Sequence, residues 1–91
     1  MERYEASSLL NKSVVTDKGR KLGEIADLQF EEKTGEVIIT IEANTTENAE
    51  RLGLEETKDG FLVPFMAVKA IGDYVVVSEE DLVQFLFNLL Y

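Results

Sequence analysis

The chain has 91 residues, 45% of them hydrophobic and 30% charged, which suits one globular domain with a single modest core. It contains neither cysteine nor histidine, which excludes disulfides, thiolate nucleophiles, Cys/His zinc sites and the usual near-neutral general base. Its formal net charge of −9 disfavours nucleic acid and anionic lipid as ligands, so we expect any charged partner to be basic.

The first eleven residues form a short polar lead whose apolar anchor is the pair Leu9 and Leu10. The stretch Met1–Glu5 is too polar for a signal peptide. No apolar run in the sequence approaches the roughly 20 residues of a membrane-spanning helix. We therefore expect a cytoplasmic protein without direct membrane insertion.

The middle of the chain predicts a β-hairpin. Before it, a brief strand at Ser13–Thr16 ends in the turn signal Asp17–Gly19, and Gly23 indicates a bulge or a sharp corner. The polar loop Glu31–Gly35 suits a type I turn closed by a glycine at positive φ. Apolar residues recur at every second position of both strands: Ala26, Leu28 and Phe30, then Val37, Ile39, Ile41 and Ala43.

The second half predicts a short helix and further strands. Thr45–Gly53 reads as a helix with a threonine cap and a terminal glycine, expected to cover one end of the sheet. A strand at Phe61–Phe65 must lie at an edge or break at Pro64, which has no N–H to donate. Gly72 and Asp73 then turn the chain into Tyr74–Val77. Five to six short strands predict a mainly β fold, a small barrel whose closure removes exposed edges.

The last stretch changes to helical spacing. Ser78 and Asp81 resemble a capping box at the start of an amphipathic C-terminal helix. We divide the chain into a barrel domain, residues 1–78, and this helix, residues 79–91. The helix has two apolar stripes, and we expect one to cover the barrel and the other to mediate protein binding and self-association. The candidate protein-binding residues are Leu82, Val83, Phe85, Leu86, Phe87, Leu89 and Leu90.

Two alternatives for these stripes stay open. A small domain can bury both stripes against itself. The helix can also dock on a membrane surface, although interfacial helices usually carry Lys or Arg on their polar face and this one carries none.

Catalytic chemistry finds little support. The acidic groups Glu31–Glu32, Glu55–Glu56 and Glu79–Asp81 fall in predicted turns or at a helix start, where acids are ordinary solvated residues, and none has the spacing of a calcium loop. Serines and threonines lack a His or Cys partner that would activate them. The aromatic residues Phe30, Phe61 and Phe65 are expected in the core. We therefore predict a non-enzymatic protein with no cofactor and no metal site.

Two separated motifs carry a family resemblance. The stretch Ser13–Gly35, followed by Phe61–Phe65 and Val68–Asp73, resembles the PRC-barrel family. This fold is shared by the cytoplasmic part of photosynthetic reaction-centre H subunits and by the C-terminal domain of the ribosome-maturation factor RimM. The likeness spans roughly Leu9–Val77. It implies a PRC-type barrel and supplies no catalytic residue.

The resemblance also implies a function class. The chain looks most like short, free-standing archaeal PRC-barrel proteins, including those implicated in FtsZ-based cell division. That likeness implies an adaptor that forms a homodimer, or a heterodimer with a sister PRC-barrel protein, and that contacts the membrane-anchoring protein SepF. The alternative is an accessory factor in ribosome maturation or RNA processing that binds a basic ribosomal protein, as a RimM-like barrel would.

Overall fold

The computed structural model of the chain describes residues 6–33, 35–42 and 47–89, and for residues 6, 7 and 85–89 it describes the backbone alone. These ranges hold three helices, seven strands and one 3₁₀ helix. In chain order they are α1 (Ala6–Leu9), β1 (Ser13–Thr16), β2 (Lys21–Glu31), β3 (Glu36–Glu42), α2 (Glu47–Arg51), β4 (Glu56–Thr57), β5 (Gly60–Pro64), the 3₁₀ helix (Phe65–Ala67), β6 (Val68–Ile71), β7 (Tyr74–Val77) and α3 (Glu79–Leu89).

The strands form one sheet in the order β4-β5-β3-β2-β1-β7-β6. Strands β1 and β7 run parallel, and the other neighbours are antiparallel. The long strand β2 is shared: its first residues pair with β1, and its residues from Ile25 onward pair with β3. Register irregularities lie beside Gly23 and between Ile25 and Asp27. Such bulges bend a strand, which lets the sheet curl around one core.

One hydrophobic core lies inside the curled sheet. Both halves of the sheet contribute to it, as do α2 and α3, so the two halves must face each other. Fully burying a large aliphatic side chain contributes about 1.5–3 kcal/mol to stability. The largest fully buried side chains are Leu22, Ile25, Ile39, Ile41, Leu82, Val14, Val63, Val75 and Val77.

The predicted mainly β, barrel-type fold is confirmed, with a higher strand count than expected. The structure has seven strands instead of five to six. The additional elements are the two-residue strand β4 and a separate β6 after the 3₁₀ helix. Both are short and carry no clear alternation of polar and apolar residues, which is the signal on which a strand prediction depends.

The predicted break at Pro64 is also observed. Strand β5 ends at Pro64, and the 3₁₀ helix follows at once. Strand β4 pairs with β5 only at Gly60 and Phe61, so Pro64 borders β3 alone, opposite Ile38. A residue without an N–H is tolerated there because no second ladder needs its donor.

The short helix α2 covers part of the core. The predicted range Thr45–Gly53 is described from Glu47, and its threonine cap lies outside the described residues. The helix ends in a Schellman motif: the Gly53 N–H donates to the Glu50 carbonyl and the Leu54 N–H to the Ala49 carbonyl, with Gly53 at φ 72°. Ala49 and Leu54 are both buried, as expected for a cover over one end of the sheet.

One core prediction is wrong. Phe61 is buried and Phe65 is half-buried, but Phe30 is 66% exposed. The β2–β3 ladder continues to the pair Glu31 and Glu36, whereas β5 already ends opposite Ile38. The last rows of the hairpin therefore have no third strand beside them, and the apolar face at Phe30 extends past the core.

Candidate interaction surface

The helix α3 begins at a side-chain cap. Ser78 Oγ accepts a hydrogen bond of 3.1 Å from the Asp81 N–H, as the predicted capping box requires. The Ser78 N–H donates instead to the Ala67 carbonyl at 2.9 Å, so it is not the donor for the return bond of that box. The cap thus fastens the start of α3 to the 3₁₀ helix as well as to its own first turn.

Beside the cap, a buried carboxylate joins α3 to the end of β1. Thr16 Oγ1 donates a hydrogen bond of 2.6 Å to Glu79 Oε2, and both residues are buried. Arg20 Nε lies 3.6 Å from the same carboxylate oxygen, on a side chain that is half exposed. Glu79 is thus paired and hydrogen-bonded, which is the condition for a charged group to be buried without a large loss of stability.

A second carboxylate, that of Asp17 directly after β1, also binds the start of α3. Asp17 Oδ1 accepts a hydrogen bond of 3.1 Å from the Glu79 N–H, and Asp17 Oδ2 lies 3.6 Å from Lys69 Nζ. The hydrogen bond from the Glu79 N–H, helped by the Lys69 charge, holds the pKa of Asp17 below its usual range, although partial burial opposes this. We call this cluster of Thr16, Asp17, Arg20, Lys69 and Glu79 the polar clasp.

The polar clasp corrects one sequence-based expectation. Glu79 was expected to be an ordinary solvated acid at a helix start, and it is only 6% exposed, whereas its neighbours Glu80 and Asp81 are exposed as expected. A threonine before a turn is a recognisable acceptor for turn N–H groups. Its second partner is 63 residues away in the chain, so local sequence gave no signal for it.

The predicted protein-binding residues fall into three groups. Leu82 is fully buried in the core, where it helps to attach α3 to the sheet. Val83, the next residue, is 52% exposed. The side chains of Phe85, Leu86, Phe87 and Leu89, and the whole of Leu90, lie outside the described part of the chain. Leu82 thus lies against the sheet and Val83 is exposed, and the division of the whole helix into two stripes stays a prediction.

A groove lies beside the part of the β2–β3 hairpin that extends beyond the end of β5. It has a volume of about 300 Å³ and is lined by Gly35, Glu36, Val37, Pro64, Phe65 and Met66. Met66 is 67% exposed. Phe30 stands directly opposite Val37 in the ladder, so its side chain shares that face. Sequence reasoning did not single out this groove, because its two walls are far apart in the chain.

Among the described residues, no group of three or more acidic side chains is placed to hold a metal ion. Within the same part of the chain, no helix is both long and apolar enough to cross a membrane.

Comparison with known proteins agrees with the fold. The PRC-barrel domain profile matches residues 1–83. The uncharacterized protein MJ1118 of Methanocaldococcus jannaschii is 32% identical over 82 residues, which cover 90% of this chain and 89% of that protein. The matched region includes the curled sheet, the polar clasp and the beginning of α3. This chain belongs to the PRC-barrel domain family.

Proposed function

We propose that this protein is a non-enzymatic adaptor for protein–protein interaction, and that it works as a dimer formed through α3. The observation that carries the proposal is the way α3 is held. The polar clasp and Leu82 fix its first turns on the sheet, while Val83 on the other side is 52% exposed. A helix that is fixed on one side and apolar on the other is a suitable surface for a second chain.

The sequence of α3 extends that apolar side. Residues four apart share a helix face, so Phe87 belongs to the same stripe as Val83. Each large apolar side chain covered by a partner contributes on the order of 1.5–3 kcal/mol. In a homodimer, the same stripe of each chain would cover the other. A heterodimer with a sister PRC-barrel protein would cover the stripe equally well.

An adaptor role also agrees with the chemistry of the described residues. The carboxylates of the polar clasp are used in internal hydrogen bonds and ion pairs. The apolar groove beside the hairpin is a surface for contact more than for acid–base chemistry. For the cellular process we propose archaeal FtsZ-based division with SepF as partner, on the family resemblance and on the archaeal source of the 32% identical relative.

The net charge of −9 favours one second candidate, an accessory role in ribosome maturation through a basic ribosomal protein. Isothermal titration against purified SepF and against purified ribosomal subunits from the source organism separates the two candidates. Saturable binding to SepF alone supports the division role. Binding to ribosomal subunits alone supports the second candidate.

Light scattering tests the dimer. We expect the wild type to have twice the monomer mass and the double variant Val83→Glu with Phe87→Glu to have the monomer mass, because burying a carboxylate in an apolar interface is unfavourable. Tyr74→Glu is the matched control, since Tyr74 is similarly exposed at 57% but lies on β7. A wild type of monomer mass at high concentration would reject the homodimer.

A further inference from the structure

The groove beside the β2–β3 hairpin is an apolar surface that the chain itself leaves uncovered. Phe30 and Met66 are each about two-thirds exposed, and Val37 and Phe65 between them are half-buried. Phe30 and Val37 continue the same face of the sheet that carries the pair of buried Ile39 and partly buried Leu28. The apolar face of the sheet therefore continues beyond the core to the end of the hairpin, where it is exposed to solvent. In a small domain such an exposed apolar face indicates a contact surface.

The tip of the hairpin next to this groove is acidic, and Glu36 itself lines the groove. Glu31 and Glu36 stand directly opposite each other at the end of the ladder, and Glu32 follows in the loop. Lys33 is the one basic residue of this stretch against the three carboxylates. A positively charged group bound at this acidic tip would be attracted to it.

We infer that this groove, defined by Val37, Pro64, Phe65 and Met66 with Phe30 beside it, binds a short peptide segment of a partner protein. The segment has apolar side chains that enter the groove and flanking lysine or arginine residues that meet Glu31, Glu32 and Glu36. This inference rests on the proposed adaptor function and deepens it, because it names a second surface, separate from α3, and the chemical class of the partner.

Charge decides between the possible occupants. A second copy of this chain has a net charge of −9, so the acidic hairpin tip favours a basic segment over it as the occupant of the groove. An anionic lipid surface is opposed for the same reason. A basic and apolar segment matches both features of the groove, and electrostatic attraction would also speed its encounter with the protein.

The test uses three synthetic peptides and the full-length, isotope-labelled protein. The first peptide has a Leu-Phe pair flanked on both sides by Lys-Arg; the second has glutamate in place of Lys and Arg; the third has serine in place of Leu and Phe. We expect saturable binding of the first only, with a dissociation constant below about 1 mM. The amide chemical-shift changes of the protein should concentrate in residues 30–37 and 65–67.

Two pairs of variants define the site. The double variant Phe30→Ser with Met66→Ser should weaken binding at least tenfold, and Tyr74→Ser should leave it unchanged. The side chains of Phe30 and Met66 are both exposed, so the double variant is expected to keep the fold. The double variant Glu31→Gln with Glu32→Gln should weaken binding about threefold and flatten its salt dependence, whereas Glu55→Gln with Glu56→Gln, exposed acids elsewhere, should not.

Three results of the peptide experiments would overturn the inference. They are absence of saturable binding, equal binding of the glutamate peptide, and shift changes centred outside the groove. Loss of the dimer in Phe30→Ser with Met66→Ser would overturn it too, because the occupant would then be a second copy. Failure of the α3 dimer test leaves the peptide result readable, since peptide binding is measured on a monomer as well as on a dimer.

Discussion

The Thr16 hydroxyl donates a hydrogen bond of 2.6 Å to the buried carboxylate of Glu79, across 63 residues of sequence. The same hydroxyl oxygen accepts hydrogen bonds from the Lys18 N–H at 3.2 Å and the Arg20 N–H at 3.1 Å. One side chain thus shapes the turn after β1 and fixes the start of α3. The orientation of the proposed dimer helix depends on this connection.

Replacing Thr16 with valine should lower the free energy of unfolding by about 1–3 kcal/mol, because Glu79 would keep its burial and lose a hydrogen-bond donor. Thr16→Ser retains the hydroxyl and should lose much less. Urea denaturation of both variants measures the difference. Equal stability of the valine and serine variants would show that the hydroxyl contributes nothing beyond its packing.

The carboxyl of Asp17 should titrate below the unfolded-state value of about 3.9, because the charged form accepts the Glu79 N–H and lies near Lys69. A lowered folded-state pKa means that this stabilisation is present above about pH 4 and is lost as the pH falls through the folded-state pKa. Carbon-detected NMR titration follows this group directly. Lys69→Met should raise its pKa only in part, since the Glu79 N–H is the larger cause. An Asp17 pKa at or above the unfolded value contradicts this account.

Truncating two adjacent residues of α3 should change the stability of the protein by very different amounts. Leu82→Ala should cost about 2–5 kcal/mol, because Leu82 is fully buried and the change leaves a cavity. Val83→Ala should change stability by less than about 0.5 kcal/mol, since Val83 is half exposed. Thermal unfolding at low protein concentration, where association adds little, tests the pair. A larger loss for Val83→Ala would mean that α3 packs with its other side on the sheet.

Replacing two glycines that have open space around them should also have different effects on stability. Gly19 has a φ of 80°, whereas the φ of Gly72 is not positive. An added Cβ would meet no atom within 4 Å at either position. Gly19→Ala should therefore lose about 1–2 kcal/mol through backbone strain alone. Gly72→Ala should be neutral or slightly stabilising, because alanine restricts the unfolded chain. Calorimetry compares them, and equal effects would refute the conformational explanation.

Much of the fold could be predicted because its signals are local. The alternation around Leu28 and Ile39, the glycine at Gly35 and the cap at Ser78 each depend on neighbours within a few residues. Period-2 patterning and turn chemistry act at that range. They were sufficient for the main hairpin, the break at Pro64 and the C-terminal helix. They also predict two apolar stripes on α3; Leu82 is buried and Val83 is exposed, and the remaining residues of the stripes stay a prediction.

The remaining features depend on distances between parts of the chain that are far apart in sequence. Phe30 has the pattern of a core residue, and only the shorter length of β5 leaves it exposed. Glu79 has the pattern of a surface acid, and only the position of Thr16 buries it. Periodicity tells which face of a strand or helix is apolar. How far the neighbouring element extends over that face is decided by tertiary packing alone, because burial depends on the atoms that arrive from elsewhere.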